Sequence, residues 1–257
     1  MDERHAGNKS LYTEREWAAR CELAALYRLV AHFRMTDLIY THISLKVPGS
    51  DDLFLVNRYG VLFHEMTASD LVKVDIEGNV HDENPESRRL NAAGFTIHSA
   101  VHMAREDIHC VIHTHTQAGI AVSAQKQGLL PISQHSLRFY KALGYHDYEG
   151  FAVDLDERKR LATDLGAFKA MILRNHGLLT VGETAAEAFS YMFFLERACQ
   201  VQIAAQSGGA ELVYPAQDVM DHTASQWQNR GAEDWYYKLF WDACLQTIHD
   251  QRNDYCR

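Results

Sequence analysis

Ile108-His109-Cys110-Val111-Ile112-His113-Thr114-His115-Thr116 is an apolar run that ends in two histidines separated by one residue. Read as a strand, its side chains alternate between faces, so His113 and His115 share one side and can converge on one ion. The same spacing also suits two histidines satisfied by backbone or water at a strand end. A third ligand from elsewhere in the chain decides between the two readings.

Ala170-Met171-Ile172-Leu173-Arg174-Asn175-His176-Gly177-Leu178-Leu179-Thr180-Val181 reads as two buried strand pieces around a glycine. His176 ends the first piece, and Gly177 lets the backbone turn sharply and expose the imidazole, which makes His176 the best third ligand. Three histidines, His113, His115 and His176, leave at least one coordination position open. That arrangement belongs to a catalytic rather than a structural ion. Zinc is the default identity; ferrous iron and manganese accept the same neutral donors.

Around these segments helical and strand patterns alternate. Thr13-Glu14-Arg15-Glu16 has capping-box spacing ahead of an apolar-rich stretch from Trp17 to Phe33, which predicts a long first helix. Ile43, Leu45 and Val47 alternate with polar residues up to Pro48-Gly49, and Leu53 to Val56 follow, the pattern of a hairpin. Leu71 to Val74, the turn Glu77-Gly78-Asn79 and Val80 predict a further antiparallel pair. The polar loop Asp82 to Arg89 is expected at the surface or near a site mouth.

A helix is expected from Asn91 to Arg105, with Ala92, Ala93 and Gly94 in its first turn, where small residues permit close approach. Others are expected over 117–125, over 155–165 and, behind the capping box Thr184-Ala185-Ala186-Glu187, as far as Gln206. Tyr145 to Tyr148 forms a short strand candidate. Trp227, Trp235, Tyr236, Tyr237, Phe240 and Trp241 make the last fifty residues an aromatic-rich extension that docks on the body or on another subunit. Strands interleaved with helices, with at least one hairpin, indicate an α/β sheet covered by helices. The 257 residues are read as one domain, with a core over 17–209 and an extension over 210–257.

The chain is 47 % hydrophobic and 23 % charged, ordinary for a globular protein. A net charge of -9 without a lysine/arginine-rich block argues against nucleic acid as a partner. No run of 18 or more apolar residues and no signal-peptide layout is present, so no membrane partner is expected and the chain is read as cytoplasmic. Five cysteines without a Cys-x-x-Cys pair suit reduced, buried thiols. No dinucleotide-binding, P-loop or nucleophile-elbow motif occurs, and His64-Glu65 lacks the second histidine of a zinc-protease helix.

His113-Thr114-His115 with downstream Arg174-Asn175-His176-Gly177 resembles the class II aldolase/adducin family, the similarity running from about Trp17 to Gly209. Tyr40 to Gly49, Asn91 to Phe95, Gly128 to Ser133 and Tyr145 to Tyr148 resemble its adducin-like branch. The resemblance implies a single three-layer α/β/α domain with a central mixed, largely antiparallel sheet. It also implies a homotetramer with sites at subunit boundaries and a divalent ion on His113, His115 and His176. Family aldolases carry Ser-Ser-Glu where this chain has Ala92-Ala93-Gly94, so phosphate-binding hydroxyls and an acid/base carboxylate are missing here. Thr41-His42 replaces a Gly-Asn and Tyr59-Gly60 a Thr-Gly, so a typical sugar-phosphate aldolase is not expected. Adducins, by contrast, have lost metal ligands that this chain keeps.

Three functions follow. The first is a metal-dependent lyase, by aldol-type cleavage or decarboxylation, acting on a small oxygenated acid or carbonyl compound, with His42, Arg58 and His135 as substrate contacts. The others are a non-haem iron oxygenase on the same site and a non-catalytic adducin-like interaction module. Glu65, Glu83 or an acidic residue of the C-terminal tail are candidates to replace the absent carboxylate from another subunit.

Overall fold

Thr13 caps α1 (Glu14–His32) as its spacing predicts, its side chain accepting from the Glu16 amide at 3.2 Å. This computed structural model describes residues 11–82, 92–150, 156–231 and 234–257. The hairpin follows as β1 (His42–Lys46) and β2 (Leu53–Asn57), paired antiparallel with Leu45 opposite Leu55. β3 (Leu71–Asp75) pairs with β2 over five residues, not with the segment around Val80, which makes a single bridge to Val74. Asp75 explains the difference: its carboxylate accepts from the Glu77 and Asn79 amides and closes a tight turn before a second strand can run. Of the polar loop expected from Asp82, all but Asp82 lies outside the described residues.

α2 (Ala92–Ala104) leads into β4 (Cys110–Thr114), then α3 (Gln117–Ser123), the short α4 (Gln134–Leu137) and β5 (Gly144–His146). α5 (Glu157–Leu165), β6 (Ala170–Leu173), β7 (Gly177–Gly182) and α6 (Ala185–Ser207) complete the domain body, and Thr184 caps α6 by accepting from the Glu187 amide. α7 (Gln217–Gly231), α8 (Asp234–Gln246) and α9 (Arg252–Tyr255) form the extension. The seven strands run β3-β2-β1-β4-β7-β6-β5, antiparallel throughout except for the parallel pair β5 and β6. The sheet is therefore mixed and largely antiparallel, as expected.

Alternation along β4 sets the layers. Cys110 and Ile112 face a core built with Leu23 and Leu26 of α1 and with Phe189 and Leu195 of α6. Val111 faces the other way, against Ile97 and Val101 of α2 and Leu161 and Leu165 of α5. Each such buried aliphatic contributes about 1.5–3 kcal/mol of transfer free energy. The aromatic extension docks on the body: Phe240 and Trp241 pack against Phe189, while Trp235 stays exposed.

Cys110, Cys199 and Cys244 are buried thiols as expected, whereas Cys21 and Cys256 form a disulfide with Cα atoms 4.9 Å apart. Their 235-residue separation carries no spacing signal; the packing of α9 on α1 brings them together. Among the described residues no helix is long and apolar enough to cross a membrane.

Candidate metal centre

In the β4 register His113 stands opposite Leu179 of β7 on one side and His42 of β1 on the other. Cross-strand partners share a face, so His42 and His113 both project into the α2/α5 layer. His115 lies one step past the end of β4, still on that side. His176 comes from the β6–β7 turn, whose left-handed residue is Asn175, with φ 55°. Gly177 has another task than turning. A Cβ there would drive into the Thr114 carbonyl, so glycine is what lets β7 approach β4.

The three rings meet. His113 Nε2 is 2.8 Å from His115 Nε2, which is 2.9 Å from His176 Nε2, and one ligand atom from each residue falls within 4.8 Å of the others. His113 Nδ1 donates to the Leu178 carbonyl at 3.0 Å and His115 Nδ1 to Asp37 Oδ2 at 3.2 Å. With each Nδ1 carrying the ring proton, both Nε2 atoms are bare lone pairs turned toward one point. Burial keeps the His113 and His176 rings neutral: it pulls His113 well below the ordinary histidine range and His176 down to about 4, with neighbouring imidazoles adding to the effect. Converging neutral lone pairs repel one another unless a cation sits among them, so the donor set fits a divalent ion.

His42 is buried, its ring centroid 4.9 Å from that of His113, and burial lowers its pKa to about 3. It fills the space beside Gly94, where a Cβ would lie 2.7 Å from His42 Cδ2. The small residue in the first turn of α2 thus permits the close approach expected of it. Arg58 and His135 are brought to other partners. Arg58 pairs with Asp70 at 2.6 Å, and His135 lies against Phe194 with ring centroids 5.6 Å apart. Glu65 is exposed and Glu83 lies outside the described residues.

Sequence reasoning missed five side chains here. Asp37 orients His115, and Tyr148 borders His176 with ring centroids 6.3 Å apart. Behind His42 runs a buried chain. His42 Nδ1 is 2.6 Å from His98 Nε2, His98 Nδ1 meets Ser44 Oγ, and Ser44 Oγ is 2.8 Å from His102 Nε2. The spacings were a usable signal, since His42 and Ser44 share a strand face and His98 and His102 a helix face. Among the described residues no fourth donor joins the trio, so an ion held there can bind an oxygen ligand and polarise it.

A domain model described as "Class II Aldolase and Adducin N-terminal domain" matches residues 21–203. The structure is similar to that of an aldolase II superfamily protein from Pseudomonas syringae, with TM-score 0.91 and 50 % identity, covering 97 % of this chain and 99 % of that one. It is also similar to an L-fuculose 1-phosphate aldolase from Glaciozyma antarctica PI12, with TM-score 0.81 and 31 % identity over 94 % of this chain and 92 % of that one. Alpha-adducin of Rattus norvegicus is 45 % identical over 203 residues, 78 % of this chain but 28 % of its own length.

Proposed function

From the premise that this chain belongs to the class II aldolase and adducin family, we propose that it is a metal-dependent carbon–carbon lyase, cleaving by an aldol-type or decarboxylating route. Its substrate would be a small oxygenated acid or carbonyl compound rather than a typical sugar phosphate. The observation that carries this reading is the convergence of the His113, His115 and His176 Nε2 atoms, three donors that leave a coordination position for substrate. A divalent ion held there supplies Lewis-acid polarisation of a substrate carbonyl and stabilises the negative charge that develops as the bond breaks.

The chain's own residues do the rest. Leu178 and Asp37 hold two ligand rings in the required tautomer. His42 is the substrate contact nearest the trio. Arg58 and His135, which lie against Asp70 and Phe194, are retained as proposed substrate contacts. We further assign zinc as the resident ion, with ferrous iron or manganese accepted by the same donors, and a homotetramer as the assembly. The compartment we assign is the cytoplasm, where Cys21 and Cys256 would stand reduced.

The test is elemental analysis of purified protein, followed by a panel of hydroxy and keto acids assayed for carbon–carbon cleavage with zinc, manganese or iron bound. Absence of cleavage across the panel rejects the lyase. A second reading, a non-catalytic interaction module, is favoured by the 45 % identity to alpha-adducin. Under it, alanine at His113, His115 and His176 leaves partner binding intact; loss of an activity together with the metal rejects it.

A further inference from the structure

The His42–His98–Ser44–His102 chain is unusual in what it lacks. All four side chains are buried, at 2 %, 0 %, 0 % and 5 % exposure. Among the described residues, Asp37 is paired with His115, and Asp164 and Glu157 with His146. None belongs to the ligand cluster, which is all imidazole. A divalent ion there keeps its double charge, because neutral donors cancel none of it.

A neutral imidazole has one proton, so the chain can run in either of two directions. With that proton on Nε2 of each ring, His102 donates to Ser44, Ser44 to His98 and His98 to His42 Nδ1. His42 Nε2–H is then left over, on the ring that packs against His113 and fills the space above Gly94. An anion at the open position favours this direction, because each bond in an aligned chain polarises the next.

We propose that His42 sets the ligand preference of the metal centre. Held over Gly94 by His98, Ser44 and His102, it donates from Nε2 to a small chelating carboxylate, an α-keto or α-hydroxy acid bound through its carboxylate and the adjoining oxygen. This deepens the lyase reading and rests on it for the ion, but not for turnover. His98, Ser44 and His102 are positioning residues that act through His42.

The test uses the full chain loaded with cobalt, whose visible spectrum reports ligand binding, with oxalate as the anionic chelator and dihydroxyacetone as the neutral one. Wild type prefers oxalate. His42→Ala retains about one cobalt per chain but loses oxalate affinity by about tenfold or more, while dihydroxyacetone binding changes by less than about threefold. His42→Asp loses more, because its carboxylate repels the anion, and Ser44→Ala loses part of the effect. Oxalate affinity within about threefold of wild type in both His42 variants overturns the proposal. So does loss of cobalt from both, which would make His42 part of the ion's support rather than a contact to its ligand. Oxalate selectivity without cleavage of any acid would reject the lyase and leave this inference standing; cleavage with unchanged oxalate binding in the variants would do the reverse.

Discussion

Gly177→Ala is the substitution that most directly couples the sheet to the metal centre. Two effects oppose each other. Alanine restricts the unfolded chain and is better in a strand than glycine, a gain of roughly 0.5–1 kcal/mol. Against it, the new Cβ would fall far under the 3.0 Å that real Cβ contacts respect, and the atom it meets is the Thr114 backbone carbonyl, which has no rotamer to retreat into. Overpacking of this kind costs about 1–3 kcal/mol, toward the upper end where backbone must move. The net loss is then about 2 kcal/mol, or roughly 4–8 °C in Tm for a chain of this size. The shift falls on the site as well, because His176 precedes residue 177 and Leu178, whose carbonyl holds His113 Nδ1, follows it. Thermal unfolding and zinc content are measured together, with Gly208→Ala as control, since nothing lies within 4 Å of a Cβ there. The control stays within about 0.5 kcal/mol of wild type. Gly177→Ala with an unchanged Tm and a full complement of zinc would refute the close-approach argument.

His176→Ala removes one of three donors, and zinc retained after dialysis falls by about tenfold or more while the circular dichroism spectrum is preserved. Asp37→Asn keeps an acceptor for His115 Nδ1 but removes its charge, weakening zinc about 10-fold, as read by competition with a chromogenic chelator. Stability also depends on pH through His42 and His102, both lowered to about 3 by burial. Below the ordinary histidine value of about 6.5 the unfolded chain takes up protons that the folded one refuses, so urea midpoints fall as pH drops from about 6.5 toward about 3; a flat profile over that window would contradict the burial argument. Thr184→Ala deprives the 23-residue α6 of its cap and costs about 1 kcal/mol by urea unfolding.

How far the sequence could be read depended on whether each signal was local. The caps Thr13 and Thr184, the period-two run of β1 and the apolar run of β4 act within a few residues, and their elements lie where expected. β3 and its bridge to Val80 lie where expected, but its main partner was missed, because the Glu77-Gly78-Asn79 turn is visible locally whereas pairing with β2 depends on a segment some eighteen residues earlier. Gly177 shows a subtler limit. Its presence between two strands was legible, but glycine serves both sharp turns and close approaches, and only the distance to Thr114 tells which. Cys21 and Cys256 had no signal at all, because their meeting depends on where the last short helix packs.

The histidine trio and its surroundings divide in the same way. His113 and His115 were legible from alternation, and His176 from the strand end that precedes it. His42 was picked as a polar candidate, but its place beside the trio depends on the register of β1 against β4, which sets it opposite His113. A slip of one residue would turn His42 and Ser44 to the other face, among Leu23 and Leu26, and leave His98 and His102 without partners. Tyr27 of α1 guards against that slip. Its hydroxyl accepts from the Ile43 amide at 2.8 Å and donates to the Ile43 carbonyl, tying β1 to the helix from the apolar side of the sheet. The position of His42 therefore rests on a residue in the opposite layer. The chemistry on one face of the sheet is held in register by a tyrosine that never reaches it.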